Sequence, residues 1–209
     1  SIAKAWRENE IEVIFLGISK DLSENNLLNT EKNIQGFTAY SVPYPKRKKE
    51  WIGYLFSIEA VKKIINHYGK IDAIVCYNYQ AVAFDRLRHF CKKKKIKIYS
   101  DCTEWYNTQG ASVIFKILKG FDTWYRMKII QKKLDGLIVI SSYLKKYYAD
   151  CKNVIVIPPL VDIKEPKWNE KSKRLGEGIN FIYAGQPGNK DKIDKIVKSY
   201  KQFVKNHKA

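Results

Sequence analysis

Short apolar runs of strand character alternate with longer stretches of helical periodicity along this 209-residue chain, and that alternation limits its fold more than any other feature. Compact strand-like runs rich in Ile, Val and aromatic residues fall at 11–16, 37–42, 71–77, 96–99, 136–140 and 154–157. Between them lie helical patterns at 2–9 (with Ser1 as cap), 51–67, 81–90 and 112–134, and a further helix for which Ser141 is the natural N-cap. Pro43 and Pro45 close the second strand, and Pro158-Pro159 close the last. Strands joined through helices run parallel, and a parallel sheet needs both faces covered. The expected class is therefore α/β, a doubly wound parallel sheet of Rossmann-like form.

The same pattern divides the chain. Residues 1–160 read as one domain and 161–178 have the Lys-, Glu- and Pro-rich composition of a linker. A strand at 179–184 and a helix at 191–205 then begin a second domain. One strand and one helix cannot bury two faces, and the first domain opens on a helix. The expectation is a first domain short of its opening strand and a second, Rossmann-like domain that is only begun.

With 45% hydrophobic and 29% charged residues, disorder is excluded, as is any span of about 18 uninterrupted apolar residues. Residues 1–7 contain no apolar signal core. Cys76, Cys91, Cys102 and Cys151 lack C-x-x-C spacing, which argues against zinc or a redox pair and for free buried thiols in a reducing cytosol. His67, His89 and His207 show no metal-ligand spacing, so no metal is expected.

Thirty-nine Lys and Arg against 21 Asp and Glu give a net charge of +18. Such a surface suits nucleic acid, anionic phospholipid or a phosphate-bearing substrate, or is simply well solvated. No aromatic RNA-binding strand, finger spacing or helix-turn-helix accompanies it, so nucleic acid is not expected. The run Lys46-Arg47-Lys48-Lys49 adjoins Tyr44, Trp51 and Tyr54, and Lys92-Lys93-Lys94-Lys95 forms a second run. Basic residues beside aromatics favour a membrane headgroup layer. Trp124, Tyr125 and Met127 on the long helix are expected in the core.

Three stretches carry a resemblance. Asp135-Gly136-Leu137-Ile138-Val139-Ile140-Ser141-Ser142-Tyr143-Leu144 resembles the "D-x-hydrophobic-S-x-x-L" element of GT-B glycosyltransferases, family four. Val156-Ile157-Pro158-Pro159-Leu160-Val161-Asp162 is similar to their crossover between acceptor and donor domains. Phe181-Ile182-Tyr183-Ala184-Gly185 with Pro187-Gly188-Asn189-Lys190 resembles the opening strand and phosphate loop of the donor domain.

The resemblance implies sugar transfer, with retention, from a nucleotide-sugar donor to an acceptor hydroxyl in cell-surface polysaccharide or lipid-linked glycan synthesis. The acceptor would be a glycan or polyprenyl-phosphate-linked, the donor a co-substrate with no separate cofactor, and the place the cytoplasm, peripheral at the inner face of the cell membrane. It also implies that this chain alone is inactive, since most of the donor domain lies outside it. Gly185, Gln186, Gly188 and Lys190 or Lys192 would hold the donor diphosphate at a helix N-terminus. Gln186 stands where the family has Arg, and Asp191, flanked by the two lysines, where it has Lys. The same stretch also reads as an ordinary strand–turn–helix.

On the acceptor side, Asn78 and Tyr79 follow one strand, and Asp101, Glu104, Trp105 and Tyr106 follow the next. Ligands of open α/β sheets lie beyond such strand ends. Asp101, where many relatives have His, or Glu104 would deprotonate or orient the acceptor hydroxyl. Asn78, Tyr79, Trp105 and Tyr106 would line the acceptor. A structural role for the pair is a helix cap at Asp101 completed by Glu104. Two competing functions are a non-catalytic basic module for nucleic acid or another polyanion, and a subunit lending its acceptor half to a partner.

Overall fold

The structure, a computed structural model, describes residues 2–24, 26–103, 113–165, 168, 181–185 and 191–207. The chain divides into two compact units, Ser1–Asp162 and Ile163–Ala209. In the first, α1 (Ile2–Glu8) leads to β1 (Ile14–Ser19), a 3₁₀ turn (Leu27–Thr30), β2 (Lys32–Ile34) and β3 (Phe37–Pro43). Helices α2 (Lys48–Phe56) and α3 (Glu59–Tyr68) follow, then β4 (Ala73–Tyr77), α4 (Ala81–Lys94) and β5 (Lys97–Cys102). Beyond them come α5 (Val113–Trp124), β6 (Gly136–Val139), α6 (Ser142–Tyr147) and β7 (Val154–Val156). The second unit contains α7 (Ile193–Asn206).

The strands form two sheets, where the alternation alone suggested one. Four strands in the order β4-β5-β6-β7 are parallel throughout. A three-stranded sheet in the order β1-β3-β2 pairs β1 with β3 in parallel and adds β2 antiparallel. Strand β2 is only three residues long, and its turn is built by Gln35 and Gly36, both at positive φ. Three exposed residues present no apolar alternation to read.

One helix joins the two cores. On α3, Ile64 packs with Leu27 of the 3₁₀ turn and Tyr40 of β3, while its neighbour Ile65 packs in the cluster of Cys76 and Ile98 of the larger sheet with Phe84 and Leu87 of α4. Fully burying a side chain such as Leu87 or Phe84 contributes roughly 1.5–3 kcal/mol. The pattern at 51–67 is split in two, because Ser57 turns extended and its Oγ accepts the Glu59 N–H at 3.2 Å, starting α3 afresh.

Helices α3, α4 and α6 pack on the face of the larger sheet that carries Cys76, Ile98, Cys102, Leu137 and Val139. The expectation of cover is met on that side. On the other, Ile138 is buried while Val75, Tyr77 and Ile155 are exposed.

The long helix expected over 112–134 changes gauge within its length. α5 passes into a π-helical segment, Tyr125–Ile130, and a closing 3₁₀ turn, Gln131–Lys133. The wider π turn shifts the register of the helix, so Arg126, Met127 and Ile130 are buried. Met127 is thus core, as its composition suggested, and Tyr125 is half-buried. Trp124 corrects the expectation, for it is 51% exposed.

In the second unit, residues 181–184 do not form the expected strand, and Phe181 and Ile182 are exposed. A strand needs a hydrogen-bonding neighbour, and among the described residues of this unit there is none to supply it. All four cysteines are free; Cys76, Cys91 and Cys102 are buried and Cys151 half-buried. Among the described residues, no helix is long and apolar enough to cross a membrane.

Candidate functional site

The candidate site is built at the carboxyl ends of β4 and β5. Tyr77, Asp101 and Ile138 stand in register across β4, β5 and β6, and paired residues of parallel strands share a face. Asp101 therefore lies on the same face as Tyr77, which is 59% exposed. Glu104, the other half of the capping role considered above, lies outside the described residues, while Asp101 itself belongs to β5. Partial burial raises its carboxyl above the usual carboxylate range.

Next to it, the β4–α4 turn is tightly specified. Asn78 takes a left-handed backbone, φ +47°, which its short side chain tolerates. The ring of Tyr79 turns inward and meets Phe84 edge-on at 6.0 Å, and burial raises its phenol. Gln80 bonds the Tyr54 hydroxyl of α2. The Ala81 N–H, opening α4, donates to Asp122 of α5 at 2.8 Å. A carboxylate here completes an orphan helix donor and meets the positive end of the helix dipole. Helices α2 and α5 are thereby both fixed at the start of α4.

Two contributors were invisible in the sequence. Arg126, 3% exposed, directs Nη1 to the Tyr79 carbonyl at 3.5 Å and places a buried cation behind this turn. Burial raises the Cys102 thiol, and Arg126 partly offsets that effect. The π segment aims Arg126 inward, and no local periodicity announces such a turn. Tyr77 was missed because only strand register sets it beside Asp101.

The residues of the Asp135–Leu144 stretch have structural work. Asp135 accepts the Ile98 N–H at 2.9 Å and Lys97 at 3.1 Å. Burial opposes its ionisation, but these two donors prevail and hold its carboxyl below the usual range. Ser141 is the N-cap of α6, as its position suggested, accepting the Leu144 N–H at 3.3 Å, and Leu144 is buried. Asp162, ending the Val156–Asp162 stretch, pairs with Lys4 of α1 at 2.7 Å.

Of the residues expected to bind donor phosphate, Gly185 and Lys192 are described, both exposed. Lys192 occupies the N-cap of α7 with a left-handed backbone, φ +52°. Desolvation and, after it, the Asp191 carboxylate raise the Tyr183 phenol. Gln186, Gly188 and Lys190 lie outside the described residues, as do Glu104, Trp105 and Tyr106. Among the described residues, no cluster of three or more His, Cys, Asp or Glu is placed to hold a metal ion. Comparison with known protein families, curated proteins and solved structures finds no match to this chain.

Proposed function

We propose that this chain provides the acceptor side of a nucleotide-sugar-dependent glycosyltransferase, with a Rossmann-like first domain of the GT-B kind. The observation that carries the reading is Asp101. A carboxyl at the carboxyl end of a parallel strand, with its proton affinity raised by burial, is suited to take a proton from a sugar hydroxyl. The end of the first compact unit at Asp162 also supports it, since the Val156–Asp162 stretch ends there. On this reading the acceptor hydroxyl approaches Asp101 on the side of Tyr77, and Asn78 lines its path. Donor contacts fall to Gly185 and Lys192 with Gln186, Gly188 and Lys190, and the chain by itself does not turn over. A lipid-linked acceptor would bring the protein to the inner face of the cell membrane.

The test is acceptor binding. A water-soluble short-chain prenyl phosphate bearing one sugar, titrated into the chain, should bind and shift backbone resonances of residues 77–80 and 101–103. Asp101→Asn should weaken the interaction without altering the fold. Failure of every such acceptor, with tight and steeply salt-dependent binding of duplex nucleic acid instead, replaces this reading by the polyanion-binding one.

A further inference from the structure

Strand β7 is the outermost strand of the larger sheet, and among the described residues no strand lies beyond it. Two bonds fix which way its backbone faces. The Leu137 N–H donates to the Asn153 carbonyl at 2.7 Å, and the Ile157 N–H donates to the Val139 carbonyl at 2.9 Å. Alternate residues of a parallel strand turn their backbone groups to the same side, so Asn153, Ile155 and Ile157 face β6. Val154 and Val156 therefore direct their N–H and C=O groups outward, past the last ladder of the sheet. The strand carries none of the residues that commonly close such an edge, since 154–156 hold neither Lys nor Pro. Pro158, which has no N–H, ends the row.

The two faces beside this edge differ in chemistry. Val154 and Val156 stand in register with Leu137 and Val139, and so share the face that α6 covers. On that face a groove of about 440 Å³ runs along α6 and the loop that follows it, with Val154 in its wall. Its charged groups are Lys145, Lys146 and Lys152, all exposed, and no carboxylate lines it. Asp150, in the same loop, is not part of the wall. Among the described residues, none of the three lysines forms an ion pair. The opposite face is apolar, for Ile155 is 53% exposed there beside buried Ile138. A strand laid along β7 thus sets alternate side chains towards the lysines and those between them against Ile155. A second copy, paired edge to edge about a two-fold axis, would bring these lysines against their own copies, which disfavours it.

We propose that β7 accepts an added strand from an acidic partner protein, an extended segment in which Asp or Glu alternates with apolar residues. Its backbone pairs with Val154 and Val156, its carboxylates meet Lys145, Lys146 and Lys152, and its apolar side chains cover Ile155. The edge lies two strands from Asp101, and the proposal does not depend on the acceptor reading. The probe is the peptide acetyl-Thr-Glu-Val-Glu-Val-Glu-Thr-amide, titrated into the whole chain beside acetyl-Thr-Glu-Glu-Glu-Val-Val-Thr-amide, which has the same composition and charge. The alternating peptide should bind at least about tenfold more tightly than the rearranged one. It should slow hydrogen exchange at the Val154 and Val156 amides and leave that of Ile155, already bonded to β6, unchanged. A Lys145→Glu, Lys152→Glu double variant should bind it at least about tenfold more weakly. Equal binding of the two peptides would reduce the effect to the general attraction of a chain of charge +18 for acids, and would overturn the proposal. Unprotected Val154 and Val156 amides, or undiminished binding by the charge-reversed variant, would overturn it as well.

Discussion

The ammonium of Lys4 and the carboxylate of Asp162 lie 2.7 Å apart, joining the first helix to the last residue of the first compact unit. Both side chains are roughly three-quarters covered, at 28% and 26% exposure, so the pair is screened less than a surface bridge. Replacing Asp162 by Asn should cost about 1 kcal/mol in urea unfolding. Exchanging the two residues, Lys4→Asp with Asp162→Lys, should restore part of it. Equal stability of single and exchanged variants would mean that the contact contributes nothing.

Asp101 predicts a stability that falls with pH. Its folded carboxyl is raised above the ordinary 3.8, so between that value and the raised one the folded chain holds a proton that the unfolded chain has released. Stability from this group is full below the ordinary carboxylate range and declines as pH rises through the raised value. Asp101→Asn should therefore be more stable than the parent at pH 7, with the difference closing in acid. Thermal midpoints across pH 3 to 8 give the answer, about the sign above all. A residue whose removal stabilises the fold while weakening acceptor binding is the expected mark of a functional carboxylate.

Buried Gln131 links three elements. Its Nε2 donates to Ser100 Oγ at 3.1 Å, while its Oε1 accepts from the Tyr148 hydroxyl. Gln131→Leu keeps much of the volume but strands the Ser100 hydroxyl and leaves that of Tyr148 to the Met127 carbonyl, 3.2 Å away. A loss of about 2–4 kcal/mol in chemical denaturation is expected. The double variant with Tyr148→Phe should lose less than the sum of its parts, because both single changes break the same Tyr148–Gln131 hydrogen bond.

Thiol chemistry should separate the four cysteines. Burial raises the Cys76 thiol strongly and pushes Cys91 up to about 11, and both, like Cys102, are closed to solvent. Half-buried Cys151 should react first with a thiol reagent near neutral pH, and all four together once the chain is unfolded. Rapid labelling of Cys76 or Cys91 in the native protein would contradict the packing of α4 on β4.

The amino-acid sequence by itself determined the order of strands and helices, the parallel sheet from β4 to β7, the N-cap at Ser141 and the buried cysteines. Each follows from local periodicity, capping chemistry or burial preference, which are properties of neighbouring residues. Three matters were decided only in the tertiary structure. The strands separate into two sheets because pairing is a long-range choice, and α3 can offer Ile64 to one core and Ile65 to the other. Tyr77 stands beside Asp101 through strand register, although 24 residues part them in the chain. Trp124 faces outward while Met127 and Arg126 face inward, because a π turn changes the helical phase between them. An apolar periodicity identifies a helix but not the side that finds something to pack against, and here that difference separates buried Met127 from exposed Trp124.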